Sequence, residues 1–386
     1  MTTENNKLLP AVVVGGGLNA LGIVRALGSA GIPVIVADTD PRSPAMRSRY
    51  GSKLRCAALE GEDFVKAMLD LGAKYERKLM LFATEEKTVT EISKSRARLA
   101  ARFHLRLPEH ERLMALMHKQ GFQDLAEAVG APVPRTVRLQ SKADLPRIEA
   151  LTFPCVFKPA AKSYEYGAHF KKAYKVQSPA EVAALYEQIF PVLADMVVQE
   201  WIEGADNEVY FCLQYVGEGG EVVSSFSGRK IRAWPPRIGG TASCTAAWEV
   251  SDELDQMTAR FFAQVGFTGM GSMEYKRDER DGRFYMVEPT VARTDFQEEV
   301  ASLNGVNIPE AAYRYESGLP QVAPKKVPVP RIWREPLIDR WSLEEGGGGV
   351  DQRSAGHKVC DAYWRWNDPR PWLDLMLGRI GAKLGR

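Results

Sequence analysis

Four apolar residues in a row, Ala11-Val-Val-Val14, run into Gly15-Gly16-Gly17 and then into a helical stretch from Leu18 to Ala30. Gly31-Ile32-Pro33 closes that helix, and a second apolar run, Val34 to Asp38, follows. A short unbroken apolar run bounded by glycine predicts a buried strand, and strand–helix–strand order predicts a parallel sheet. Lys78 to Ala83 reads as a further strand, followed by a helix through Leu99. A helix containing Gln123 to Val129 ends at the junction Val133-Pro134-Arg135. Beyond it, short strands are predicted at 153–158, 172–176, 196–200, 207–216, 221–227, 270–276 and 283–288, with helices at 179–190 and 252–265. The expected class is an α/β front followed by a mixed α+β body. Prolines crowd Pro320 to Pro336, and Gly346 to Gly349 is a flexible tract, so the tail reads as an appendage loosely packed on the body.

The length of 386 residues allows two or three domains. The 51 basic and 49 acidic residues are mostly interspersed, which gives no reason to expect a nucleic-acid partner. Five scattered cysteines form no Cys-x-x-Cys pair, which points to a reducing compartment and away from a disulfide framework or a zinc site. The N-terminus is polar and no apolar run is long enough to span a bilayer, so a cytoplasmic protein is expected. The terminal stretch Pro371 to Arg386 combines an apolar face with Arg379, Lys383 and Arg386. Such a helix packs on its own domain or a second subunit more often than on a membrane. A homodimer is the assembly that base rates favour.

Candidate chemistry begins with the run from Glu274 to Glu288. Asp281-Gly282 is a hairpin-turn dipeptide with β-rich residues on both sides. Folding there sets Glu274 and Glu288 opposite each other, within one residue of register. Opposed carboxylates repel unless a hard cation lies between them, and Mg²⁺ is commonly held by one or two carboxylates plus substrate phosphates. The alternative is a solvated hairpin with acidic ends. Gly15-x-Gly17-x-x-Ala20 with Asp38 fits a dinucleotide fingerprint, making a nicotinamide- or flavin-binding protein the rival reading. A tight strand-to-helix turn, however, needs glycine for backbone reasons alone. No Gly-x-x-x-x-Gly-Lys-[Ser/Thr] loop occurs.

Other elements suit a nucleotide without such a loop. Phe153 to Lys158 is an apolar strand ending on a lysine, and Lys119 opens a helix, where a cation gains most from a nearby anion. Val197-Val-Gln199-Glu200-Trp201-Ile202-Glu203-Gly204 is a strand running into a turn, with Glu208 just beyond. Ser227 to Arg232 carries three cations in four residues, and Gly239-Gly240-Thr241 reads as a mobile loop. Thr84-Glu85-Glu86 is a candidate for gripping the amine or sugar-like part of a substrate.

The order Lys119, Lys158-Pro159, Gln199 to Gly204 with Glu208, then Glu274 and Glu288, resembles the ATP-grasp carboxylate–amine ligases over most of residues 115–310. Gly22-Ile-Val-Arg25, Ser48-Arg-Tyr50, Arg229 to Pro235 and Glu288 to Arg293 resemble the predicted ligases related to D-aspartate ligase. The resemblance implies a Rossmann-like pre-ATP-grasp domain (1–115), an ATP-grasp small lobe (116–190), a large lobe with the metal site (191–320) and a Pro/Gly-rich tail (321–386). The implied cofactors are ATP and Mg²⁺ (or Mn²⁺), and the implied partners are small-molecule carboxylate and amine substrates. It implies that Lys119 and Lys158 hold phosphates, that Gln199, Glu200, Trp201 and Ile202 frame adenine, and that Glu208 holds the ribose. Glu274, Glu288 and Thr290 would bind metal. Arg232, Arg293 and Lys158 would serve the moving phosphoryl group. Three departures stand out: Thr290 where an asparagine is usual, a flap Ala160 to Ala168 with a single glycine, and Arg293 offset by one. A non-catalytic grasp module is the third reading these departures suggest.

Overall fold

The computed structural model describes residues 8–160, 164–171, 173–237, 239–295, 297–348 and 356–384. Residues 161–163 of the expected flap, and the side chains of Arg379, Lys383 and Arg386 in the expected basic helix, lie outside the described residues. The chain divides into two compact units. Unit 1 gathers Met1–Met114, Ala205–Glu274 and Pro289–Arg386, and unit 2 gathers Ala115–Gly204 and Tyr275–Glu288.

Unit 1 opens with β1 (Ala11–Val14), α1 (Leu18–Ser29), β2 (Val34–Asp38), α2 (Pro44–Arg47), β3 (Ser52–Arg55), α3 (Gly61–Gly72), β4 (Leu79–Ala83), α4 (Glu86–Lys94), α5 (Arg96–Leu99), β5 (Phe103–His104) and α6 (His110–Met117). The five strands form a parallel sheet in the order β3-β2-β1-β4-β5. Every residue of β1, β2 and β4 is buried, which explains why these strands read as unbroken apolar runs. The glycines between β1 and α1 have packing reasons. Gly15 has φ +110°, and a Cβ on Gly16 would fall 1.8 Å from Asp38 Oδ2.

Unit 2 begins at the end of α6 and contains α7 (Lys119–Ala128), β6 (Thr136–Leu139), β7 (Cys155–Pro159), α8 (Tyr164–His169), β8 (Tyr174–Val176), α9 (Pro179–Ile189) and β9 (Met196–Glu200). Its antiparallel sheet has the order β6-β9-β7-β8. Ser178 caps α9 by accepting from Glu181 N at 3.3 Å, with Pro179 at the first helical position. The helix lays Val182, Tyr186 and Ile189 on Leu139, Phe157, Met196 and Val198. Full burial of a side chain such as Phe157 contributes about 2–3 kcal/mol.

The rest of the chain supplies β10 (Val209–Val216), β11 (Val222–Trp234), β12 (Gly240–Ala246), α10 (Ser251–Gln264), β13 (Gly269–Arg277), β14 (Phe284–Val291), α11 (Gln297–Leu303), α12 (Ile308–Glu316), β15 (Ile332–Arg334), α13 (Pro336–Glu344), β16 (Val359–Asp361) and α14 (Arg370–Leu384). A seven-stranded sheet runs β14-β13-β10-β11-β12-β15-β16. Within unit 1 one core joins Val13 and Leu27 to Phe211, Phe226 and Trp333.

Two expectations are corrected. Gly239-Gly240-Thr241 was expected as a mobile loop, but Gly240 and Thr241 begin β12, which pairs with β11 and β15. The tail was expected to pack loosely, but β15 and β16 extend the main sheet. Asp368 is fully buried, and it accepts from Arg25 Nε (2.9 Å), Ser48 Oγ (2.9 Å) and Arg49 N (2.7 Å). Arg25 also donates to Ala362 O (2.6 Å) and Tyr363 O (2.7 Å). Thus the Gly22–Arg25 and Ser48–Tyr50 stretches grip the tail.

Candidate active site

In unit 2 the sheet separates its two faces cleanly. Cys155 and Phe157 point into the core, so Val156 and Lys158 line the other face of β7. Lys158 Nζ donates to Gln199 Oε1 at 3.0 Å, and Gln199 Nε2 donates to Thr136 Oγ1 at 3.0 Å. The strand registers Val156↔Gln199 and Thr136↔Gln199 set Val156, Gln199 and Thr136 in one row across β7, β9 and β6, and Lys158, opposite Val197, reaches back to it. The row puts a cation beside an amide and the half-buried Val156, surroundings suited to a phosphate-bearing ligand with an apolar ring.

Glu200 turns away from that row. Its Oε1 accepts from Thr152 N at 2.7 Å, and its own N–H donates to Arg135 O at 2.9 Å. Trp201 N donates to Pro154 O at 3.0 Å, its indole donates to Glu203 Oε2 at 3.1 Å, and Lys175 Nζ sits 4.7 Å from its ring centroid. Ile202 is buried. Lys119 is exposed at the first position of α7, where His118 provides no side-chain cap.

In unit 1, Glu274 lies on β13 and pairs with Lys230 of β11, Oε2 to Nζ 2.7 Å. Lys230 is only 6% exposed, whereas Glu274 is 28% exposed, so the pair opens toward the carboxylate. Arg232 engages Asp339 through Nε (2.7 Å) and one Nη (2.9 Å). Arg293 donates to Asp295 Oδ1 (2.5 Å) and to Glu86 Oε1 (3.0 Å), and Thr290 Oγ1 donates to Asp295 Oδ2 at 3.4 Å. Glu208 ends a short 3₁₀ turn, Asp206–Glu208, whose Asp206 accepts from Ala233 N and Arg237 N.

The expected turn at Asp281-Gly282 is present. Gly282 has φ +73°, and Asp278 N donates to Arg283 O at 2.9 Å. Burial then alternates along β14 through Phe284 and Met286 but slips by one residue, leaving Val287 and Glu288 both exposed before Pro289 and Val291 are buried. Such a slip is what a bulge produces, and it sets Glu288 in phase with Thr290 on the less buried face. Glu274 is on the less buried face of β13, flanked by buried Met273 and Tyr275.

Among the described residues, no group of three or more His, Cys, Asp or Glu is gathered to hold a metal. Taken one by one, Glu274, Glu288 and Thr290 carry hard oxygen donors of the kind that Mg²⁺ takes alongside waters and phosphates. The sequence marks Lys230 only as one cation of the 227–232 run and not as the partner of Glu274, and it does not mark Asp295 at all. A lysine inside a run that also holds Phe226, Ile231 and Ala233 was the available signal for the first; nothing local marked the second.

No family model matches the chain. It is 23% identical to the D-aspartate ligase of Enterococcus faecium (strain Aus0004) over 326 residues, covering 79% of this chain and 76% of that protein. Among solved structures it is similar to the ADP complex of purK, N5-carboxyaminoimidazole ribonucleotide synthetase, with TM-score 0.61, 15% identity, and 85% and 82% of the two chains covered. It is equally similar to the biotin carboxylase domain of Hydrogenobacter thermophilus 2-oxoglutarate carboxylase, solved with MgADP and bicarbonate, with TM-score 0.62, 14% identity, and 85% and 74% covered. The chain has the ATP-grasp fold.

Proposed function

We propose that the chain is an ATP-dependent ligase that joins a small-molecule carboxylate to an amine. The observation that carries this reading is the 23% identity to a D-aspartate ligase over 326 residues, 79% of this chain and 76% of that protein. The substrates on this reading are amino-acid-like, and the reaction runs in the cytoplasm, where five buried free thiols are stable.

A carboxylate oxygen attacks the γ-phosphorus of ATP, the bond to the β,γ-bridging oxygen breaks, and ADP leaves. The amine then attacks the acyl carbon, and phosphate leaves with the electron pair of the C–O bond. Phosphoryl transfer of this kind depends on positioning and on neutralising charge. Lys158, fixed by Gln199, and Lys119 serve the phosphates, and the Gln199–Ile202 segment holds adenine. Glu208 takes the ribose. Glu274, Glu288 and Thr290 would hold Mg²⁺, which would supply positive charge to the phosphate oxygens. Arg293, already oriented by Asp295, presents cationic charge to the acyl phosphate. Arg232, held by Asp339, contributes to the shape of β11, the strand that also carries Lys230.

Glu288→Gln tests the reading. The variant is expected to keep its melting temperature within a few degrees and to lose ADP release by at least about a hundredfold in the presence of ATP, Mg²⁺ and both substrates. Full turnover by Glu288→Gln would remove that residue from the metal site.

A further inference from the structure

The glycine turn lies at the carboxyl ends of the parallel strands, where ligands of open α/β sheets bind. A second concavity lies at the opposite, amino ends of β4 and β5, roughly 16 Å away along a five-residue strand. It is a groove of about 510 Å³ within unit 1. Leu9, Tyr313 and Leu319 give it an apolar floor, and Arg77, Lys78 and Arg102 stand on its rim.

The register puts two of those cations together. Leu79 pairs with Phe103, and Leu79 N donates to Arg102 O at 3.0 Å. Lys78 and Arg102 therefore start neighbouring strands side by side, where like charges repel. Among the described residues, none of Arg77, Lys78 and Arg102 forms a salt bridge. The acid deeper in the groove is already neutralised. Glu316, 5% exposed, accepts from Arg106 Nε (2.9 Å), Arg106 Nη2 (3.2 Å) and Tyr215 OH (2.6 Å). Only Glu76 remains on the rim to oppose three cations. His104, in the same groove, has its pKa lowered by burial, with Glu316 opposing and Lys78 and Arg106 adding to the shift.

We propose that this groove is a second ligand site, separate from the ligase centre, that binds a phosphorylated small molecule: the phosphoryl oxygens on Lys78, Arg102 and Arg77, the body on Leu9, Tyr313 and Leu319. Arginine forks and a lysine ammonium suit phosphoryl oxygens, and the floor suits an apolar or ring-shaped remainder.

Calorimetry with inorganic pyrophosphate in metal-free buffer tests the site on the full chain. Binding is expected in the wild type and in Lys158→Ala, which disables the proposed ATP-phosphate contact. The double variant Lys78→Ser/Arg102→Ser is expected to bind at least about tenfold more weakly, a change of about 1.4 kcal/mol. Both substitutions are on exposed positions, so an unchanged melting temperature would confirm that this variant is folded. Absence of binding to the wild type, binding that survives the double substitution, or binding lost only in Lys158→Ala would each overturn the proposal.

Discussion

The Lys230–Glu274 pair sets the energetics of the unit 1 site at the residue scale. Its two members are unequally buried, so removing them has unequal consequences. Glu274→Leu strands a buried ammonium without its counter-charge, which costs about 3–5 kcal/mol. Lys230→Met leaves a carboxylate that water can reach, and its cost is expected to be less than half as large. Urea unfolding of the two variants measures the difference; equal losses would show that the pair is not the asymmetric one described. Glu298 provides a pH dependence. Burial, then the neighbouring Glu299 carboxylate, raises its pKa to about 8, while Ser302 works the other way. The folded state therefore holds a proton that the unfolded chain releases near the usual carboxylate range. Glu298's contribution to stability is complete at pH values below that range and is lost as pH rises toward about 8. Thermal melts of Glu298→Gln should show a shallower decline between pH 5 and 8 than the wild type, and parallel curves would contradict the shift.

At the scale of elements, strands built from bulky apolar runs were legible in the sequence and strands built from small or charged residues were not. The runs at Ala11–Val14, Val34–Asp38 and Met196–Glu200 fall where the pattern puts them. β11 continues well past the expected 221–227 to Trp234, because Lys230 and Arg232 are satisfied by acids distant in sequence, Glu274 and Asp339. No local pattern announces partners 44 and 107 residues away. β12, Gly-Thr-Ala-Ser-Cys-Thr-Ala, lacks large β-formers, yet it is buried between two strands. β15 lies in the proline-rich stretch and β16 follows the glycine tract, and both stretches read as loop. The candidate-site residues read in the sequence as an ordered set, but the pairings Lys230–Glu274 and Arg293–Asp295 did not, since their meaning comes from contacts. The tail's integration yields a prediction. Truncation after residue 330 removes β15, β16 and Asp368, exposes the edge of β12 and leaves Arg25 buried without its carboxylate from the tail. The truncated chain is expected to accumulate as insoluble protein, measured as the soluble fraction after lysis; a soluble chain with unchanged melting temperature would contradict the structural role of the tail.

At the scale of the molecule, the residues proposed for ATP are divided between the units. Lys119, Lys158, Gln199 to Ile202 and Glu288 belong to unit 2, and Glu208, Glu274 and Thr290 belong to unit 1. ATP with Mg²⁺ at a hundredfold excess over its Kd adds about 2.7 kcal/mol to stability, whereas NAD(H) is expected to add none. The most direct test of the ligase reading is the stoichiometry of the reaction itself. With ATP, Mg²⁺ and a panel of amino acids offered as acids and amines, ADP and a new amide product should appear in a ratio of one to one. ADP formed at the same rate without any carboxylate, or no ADP from a protein that demonstrably binds ATP, would contradict it.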